Sequence, residues 1–474
     1  MLSAEQQTAV ATILQDDTEL LKVSAVAGSG KTYTLVQLAN QFRGNCLYLA
    51  YNKAISVEAA TKFGPNVECK TTHSLAYRPI VTNGMGMPGV KYGPRKVDWF
   101  NYRNIEENVT YDTKIRAIEM MEKYFLSRFI SLTEFIAYNH IPENTSELMI
   151  KYVKGMADKS IPCTHAFYLK YYHILLAREV VKVPKYDLIM LDEAGDINEV
   201  TLEIFKALPA RKKVLVGDIA QNIYSFNGTI NGFTALRDIG KLCHLTKSFR
   251  CSAFIAKDIE KFGKKYIDPT MHFTGVEYED ETINSTMYIA RTNGSLIAKM
   301  IELNKSHTEY TLTRPAKEIF GLLLTIISLK PGCKIYNQQY KYLLDDMKYY
   351  HKNTQLHKRY KSLLSYIAAE HHRDKSIKTA IKTIIKYGGN EIFKAYNIAQ
   401  SHEKGSHKVI LSSGHSAKGL EADKVVVDED FYPDFILDPG QMTEVEIQTE
   451  LNLVYVVASR ARKELIGMSW LDSI

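Results

Sequence analysis

The stretch Ala25-Val26-Ala27-Gly28-Ser29-Gly30-Lys31-Thr32 decides how this chain is read. Ahead of it, Leu21-Lys22-Val23-Ser24 is apolar and β-branched enough for a strand, and residues 33–42 behind it read as a helix. A strand, a glycine-rich turn and a helix opening on Lys-Thr form a phosphate-binding loop. Gly28 and Gly30 let backbone N–H groups approach phosphates with no Cβ in the way. The free donors at the helix N-terminus favour an anion there. In this pattern Ala27, Gly28, Ser29 and Gly30 cradle the phosphates, Lys31 reaches the β- and γ-groups, and the Thr32 hydroxyl holds Mg²⁺. The usual first glycine is Ala25 here, a departure of one methyl group.

Working outward, residues 2–19 read as a helix carrying Gln6. Cys46-Leu47-Tyr48-Leu49-Ala50 reads as a strand ending in Tyr51-Asn52, and residues 67–70 as another ending in Thr71-Thr72-His73-Ser74. Further on, Tyr186-Asp187-Leu188-Ile189-Met190-Leu191 runs into Asp192-Glu193, and Val214-Leu215-Val216 into Gly217-Asp218, with 242–246 the next strand. Strands alternating with helices predict an α/β fold with a parallel sheet covered on both faces. Ligands in such sheets bind beyond the carboxyl ends of the strands. A second sheet is expected from Met287-Tyr288-Ile289-Ala290, Val409-Ile410-Leu411 and Val425-Val426-Val427, with a final helix around 446–461. Two stretches interrupt this alternation. Residues 84–182 open on a Gly/Pro-rich bend and continue as aromatic-rich helical sequence, and residues 295–400 are rich in Lys, Tyr and Ile/Leu at helical spacing.

The 474 residues carry 60 Lys and Arg against 53 Asp and Glu, a net charge of +7. That excess is local: residues 334–394 hold 13 Lys and Arg against 5 Asp and Glu, so the remainder is near neutral. No run of 18 apolar residues suggests a membrane span, and residues 1–10 lack the apolar core of a signal peptide. The six cysteines (Cys46, Cys69, Cys163, Cys243, Cys251, Cys333) form no C-x-x-C pair. This argues against zinc or iron–sulfur chemistry and for a reducing, cytoplasmic setting.

The acidic pair Asp192-Glu193 is the natural partner of the phosphate loop, with Asp192 on Mg²⁺ and Glu193 polarising the attacking water. Gln221 could sense the γ-phosphate. Tyr224 and Phe226 could offer aromatic faces to bases, although a lone Tyr-x-Phe is commonly core. Arg250, in Lys247-Ser248-Phe249-Arg250, and Arg460, in Ser459-Arg460-Ala461, are guanidinium groups suited to a phosphoryl transition state. His415-Ser416-Ala417-Lys418-Gly419-Leu420-Glu421 follows a strand as a small-residue loop opening toward a helix.

The order of these motifs resembles that of superfamily 1 DNA helicases of the UvrD/Rep/PcrA type and, among their relatives, the shorter F-box DNA helicases. The most specific pieces are residues 415–421, the Gly-Asp-x-x-Gln-x-Ile-Tyr run at 217–224 and the Tyr-Val-x-x-Ser-Arg-Ala run at 455–461. The resemblance implies two RecA-like lobes with ATP between them and single-stranded DNA, or its junction with a duplex, across the top. The implied lobes are 1–83 with 183–245 and 246–294 with 401–474, and 84–182 and 295–400 are their insertions. It further implies that Gln6 reads adenine, Phe249 stacks on it where the family has Tyr, and Glu421 binds the ribose hydroxyl. Arg250 and Arg460 would be the fingers on the γ-phosphate. Tyr51, Asn52, Thr71, His73, Tyr224, Phe226, Ser413 and His415 would lie along the DNA, with movement 3′ to 5′. The sequence departs from the family at Gly195, where a glutamine follows the acidic pair, at Ile219-Ala220, at Phe226-Asn227, where Trp-Arg is usual, and in the smaller 295–400 insertion.

The expected activity is therefore ATP-driven unwinding or translocation. A translocase that strips bound proteins without separating duplexes would share every motif. A nucleotide-switched binding protein without turnover fits less well, because Asp192-Glu193, Gln221 and both arginines are present.

Overall fold

The computed structural model describes residues 2–82, 109–158, 160, 163–224, 228–330, 332, 335–336, 340–372, 374–403, 405–432, 436, 440 and 442–472. The Gly/Pro-rich bend, Phe226, Lys334 and Arg373 lie outside them. The chain forms two compact units, Met1–Thr246 and Lys247–Ile474.

The first unit is built on strands β1 (Leu20–Ala25), β2 (Cys46–Ala50), β3 (Val67–Thr71), β4 (Tyr186–Leu191), β6 (Ala210–Gly217) and β8 (Lys241–Leu245). Two short strands, β5 (Ile197–Asn198) and β7 (Thr229–Ile230), pair antiparallel beside them. The six run in the order β3-β2-β4-β6-β1-β8 with every neighbour parallel. Side chains alternate across a strand, and the alternation is plain here. Tyr48, Leu188, Met190, Val214 and Val216 enter a core shared with the helices Ala4–Leu14 and Lys31–Ala39. Leu47, Leu49, Ile189, Leu191 and Leu215 enter the opposite core. That second core continues into the helices Tyr111–Leu126, Glu143–Ala157 and His165–Ala177, so the aromatic-rich stretch covers one face of the sheet.

The first helix is shorter than the sequence suggests. It spans Ala4–Leu14 and stops because Gln15 turns to an extended conformation and bonds back to Thr12 O.

The second unit opens with β9 (Lys247–Ser252), which pairs with β10 (Thr274–Val276). Its main sheet is β12-β13-β11-β14-β15, from β11 (Thr286–Ala290), β12 (Thr311–Leu312), β13 (Val409–Ser413), β14 (Ala422–Val427) and β15 (Ala461–Ile466). All of these pairings are parallel. The basic segment packs on this sheet through a core containing Tyr350 and Tyr366, with Tyr360 and Tyr387 partly buried against it. Tyr350 and Tyr366 are therefore core, whereas Tyr349 is exposed. Its longest helix, Lys375–His402, breaks at Gly388, where φ is 76° and ψ is 159°. The 415–421 loop does not open into a helix as expected. It makes one 3₁₀ turn, His415–Ala417, and Gly419 at φ 87° turns the chain straight back into β14.

Candidate nucleotide and nucleic-acid site

Because β6 lies between β1 and β4, their carboxyl ends are adjacent, and so are the loops that follow them. Gly28 and Gly30 adopt φ of 76° and 77°, a conformation that carries little cost only for glycine. Gly30 caps the helix Lys31–Ala39 with no side-chain bond, which leaves its first N–H groups open to a ligand. The wholly buried Ser29 hydroxyl in the same loop has no hydrogen-bond partner in the structure.

Lys31 Nζ lies 3.2 Å from Glu193 Oε1. Burial works against the lysine charge, but Glu193, Asp218 and Asp192 together outweigh it and raise its pKa. Asp192 is buried, and that burial, reinforced by Glu193, raises its pKa against the opposing pull of Lys31 and Tyr48. The Tyr48 hydroxyl donates to Asp192 Oδ2 at 2.6 Å, and the Glu193 N–H donates to Oδ1 at 2.8 Å. Glu193 itself sits at φ 54°, a strained position for a non-glycine residue of the kind stored at functional sites. Gln221 Nε2 donates to Asp218 Oδ2 at 2.7 Å, so the expected γ-phosphate sensor is anchored to the aspartate that also acts on Lys31.

Three carboxylates face one lysine, an acidic balance that suits a divalent cation carried in with a nucleotide. Among the described residues no three His, Cys, Asp or Glu side chains form a metal site by themselves. Thr32 and Asp192 would therefore have to share the ion with phosphate oxygens.

Gln6 is buried and doubly engaged. Its Oε1 accepts from the Ser3 N–H, completing a capping box, and its Nε2 donates to Ser29 O at 3.2 Å. It thus holds the phosphate loop through Ser29. Gly195 has a steric reason for not being the family's glutamine: a Cβ there would lie 2.2 Å from the Asp218 carbonyl oxygen.

The described residues among this unit's expected DNA contacts follow the same sheet edge. Tyr51 is exposed, and its pKa is raised to about 12 by partial burial and by Asp196, Tyr224 and Glu193 nearby. This brings two of the residues expected along the DNA together near Glu193. Asn52 and Thr71 act as helix caps, accepting from Ile55 N–H and Ser74 N–H. His73 packs edge-on against Tyr168, with ring centroids 5.9 Å apart, and burial together with His165 lowers its pKa to about 4.

In the second unit Arg250, Glu421 and Arg460 converge around Ser459. Arg250 Nε donates to Glu421 Oε2 at 2.6 Å, and its Nη1 donates to Ser459 O at 3.3 Å. Arg460, 1% exposed, donates to Val456 O, Leu420 O and Ser459 Oγ. Phe249 is exposed, with Lys247 Nζ 5.7 Å from its ring centroid. Ser413 Oγ donates to Ser416 Oγ at 3.0 Å, and His415 opens the 3₁₀ turn that contains Ser416.

Sequence reasoning missed Tyr48 and Asp218. Asp218 carried a usable signal, since it ends an apolar strand just as Asp192 does. Tyr48 reads as an ordinary strand aromatic.

Two RecA-like parallel-sheet lobes, the first carrying a phosphate loop and an acidic pair, define a P-loop nucleotide-hydrolase architecture. Residues 6–227 match the sequence family described as AAA domain. The chain is 27% identical to F-box DNA helicase protein 1 of Schizosaccharomyces pombe, an alignment covering 98% of this chain and 57% of that protein. It is 25% identical to F-box DNA helicase 1 of Gallus gallus, across 96% of this chain and 48% of that one. The chain thus spans about half the length of these curated relatives. These similarities bear out the resemblance to superfamily 1 DNA helicases and to their F-box relatives.

Proposed function

We propose that this chain is an ATP-dependent DNA helicase or translocase that moves on single-stranded DNA in the 3′ to 5′ direction. The observation that carries this reading is Lys31 at the head of the glycine loop, ringed by Asp192, Glu193 and Asp218. Bound ATP would offer Lys31 its β- and γ-phosphates in exchange for Glu193. The carboxylate so released would polarise the attacking water. Mg²⁺, held by Thr32 and Asp192, would supply positive charge at the transferring phosphate. Gln221 would orient the water from its anchor on Asp218. Arg250 would leave Glu421 and, with Arg460, stabilise the transition-state charge, while Gln6 and Phe249 would hold adenine and Glu421 the ribose. The insertions 84–182 and 295–400 belong to the same reading, the second as a basic grip on DNA phosphates at the junction.

The test is strand displacement on 3′-tailed and 5′-tailed duplexes, run beside displacement of streptavidin from biotinylated single strands. A helicase separates the 3′-tailed duplex in an ATP-dependent manner. Streptavidin loss without strand separation would identify a stripping translocase. Neither activity, with ATP bound and not hydrolysed, would favour a nucleotide-switched binder.

A further inference from the structure

Glu5 and Gln6 are neighbours on the first turn of the N-terminal helix and reach different elements. Gln6 Nε2 donates to Ser29 O in the phosphate loop at 3.2 Å. The Glu5 carboxylate accepts from the Thr246 N–H at 2.8 Å and from the Thr246 hydroxyl at 2.6 Å. The phosphate loop also returns to this strand end, where the Val26 N–H donates to Leu245 O at 3.0 Å. These bonds close a ring that runs from the first helical turn to Ser29, through the loop to Val26, across to Leu245, on to Thr246 and back to Glu5. Thr246 is the last residue of the first unit. The strand that carries Phe249 and Arg250 begins at the next residue.

We propose that Glu5 is a positioning residue that ties occupancy of the phosphate loop to the connection between the units at Thr246. A phosphate bound by the loop's backbone N–H groups acts on the segment from Val26 to Ser29. That segment is bonded at one end to Leu245 and at the other to Gln6, the immediate neighbours of Thr246 and Glu5. The bonds to Glu5 have an ionised acceptor, and such bonds are roughly twice as strong as neutral ones. They are therefore the strongest of the ring's hydrogen bonds. The helix does not depend on them for docking. Lys241 Nζ reaches Gln15 and Asp17 at the helix's other end, Lys212 Nζ reaches Gln15 O, and Ala9, Val10 and Ile13 are buried in the core.

The inference rests on the ATP-driven reading, and the experiment separates the two. Glu5→Ala, Glu5→Gln and Thr246→Val are made in the full chain. Steady-state ATP turnover is measured with and without single-stranded DNA, with KM for ATP and a thermal melt for each. Glu5→Ala should lower the DNA-stimulated kcat about tenfold, the scale of one hydrogen bond to a charged group. KM for ATP should stay within about twofold, since ground-state nucleotide contacts are untouched. Turnover without DNA should be unchanged. Glu5→Gln, which keeps an acceptor for the N–H and offers a donor to the hydroxyl, should recover most of the loss, and Thr246→Val should fall between. Stimulation left intact by Glu5→Ala, or lost equally in Glu5→Gln, overturns the inference alone. A wild-type chain that DNA does not stimulate overturns the motor reading and the inference with it.

Discussion

In the first unit, the lysine at the sheet's carboxyl edge faces three carboxylates beside an open glycine loop, whereas in the second unit both arginines close on groups of their own unit. Lys31 is held in place by charges that a nucleotide with its metal can exchange. Arg460 is held by two backbone carbonyls and a hydroxyl, and Arg250 by a carboxylate that is itself exposed. The contrast teaches that a shared fold does not imply shared readiness. Under the proposed reading, the first edge would receive phosphate as it stands, while the second would have to release Arg250 and Arg460 from these contacts first.

Removing the two arginines tests this difference most severely. Each alanine variant should lose roughly 10³-fold in turnover, on the scale of arginine fingers. Stability should separate them. Arg460→Ala should also cost about 1–3 kcal/mol in denaturant unfolding, because it leaves buried acceptors unpaired. Arg250→Ala should unfold close to wild type. Near-normal turnover in both variants would remove the second unit from the reaction.

The first edge is also tightly packed at Gly195. Gly195→Gln should destabilise the chain by about 3 kcal/mol, the upper end of ordinary overpacking, because the contact is with backbone. A melt unchanged from wild type would show that the loops after β4 and β6 can part.

A smaller effect is expected from Tyr48→Phe. The hydroxyl favours ionised Asp192, so its loss should raise that already raised pKa. Less carboxylate is then available at a given pH, and the acid limb of kcat/KM should move to higher pH. An unmoved limb would mean that Asp192 does not govern it.

The smallest effect concerns the basic segment. Lys378, Lys382 and Lys386 are exposed along one helix, with exposed Ile385 among them. Changing the three lysines to glutamine should flatten the salt dependence of forked-DNA binding by about 0.9 per lost phosphate contact, leaving ATP turnover on short strands intact. An unchanged slope would return them to an ordinary solvated face.

All six strands of the first sheet and three of the five in the second were legible because apolar runs ended in polar or glycine-rich turns, and the phosphate loop declared its own chemistry; β12, inside a stretch that reads as helical, and β15, behind the final helix, were not expected. Asp192 and Glu193 followed from their place at a strand end. What was not legible depends on partners far along the chain. Tyr48 meets Asp192 across 144 positions, and Glu5 meets Thr246 across 241. Neither spacing leaves a local trace, so the first reads as core and the second as surface. The 415–421 loop misled for a different reason. Its small residues suit a helix start as well as a turn, and the positive φ of Gly419 decides for the turn.

In the proposed reading, Lys31 and the carboxylates around it hydrolyse ATP under the control of DNA. Its most direct test is steady-state phosphate release, with and without single-stranded DNA, by the wild-type chain and by Lys31→Ala. The expected result is strong stimulation by DNA in the wild type and no turnover in the variant, which still binds the strand when nucleotide is absent. Turnover near the wild-type rate in Lys31→Ala, or a wild-type rate indifferent to DNA, would contradict it.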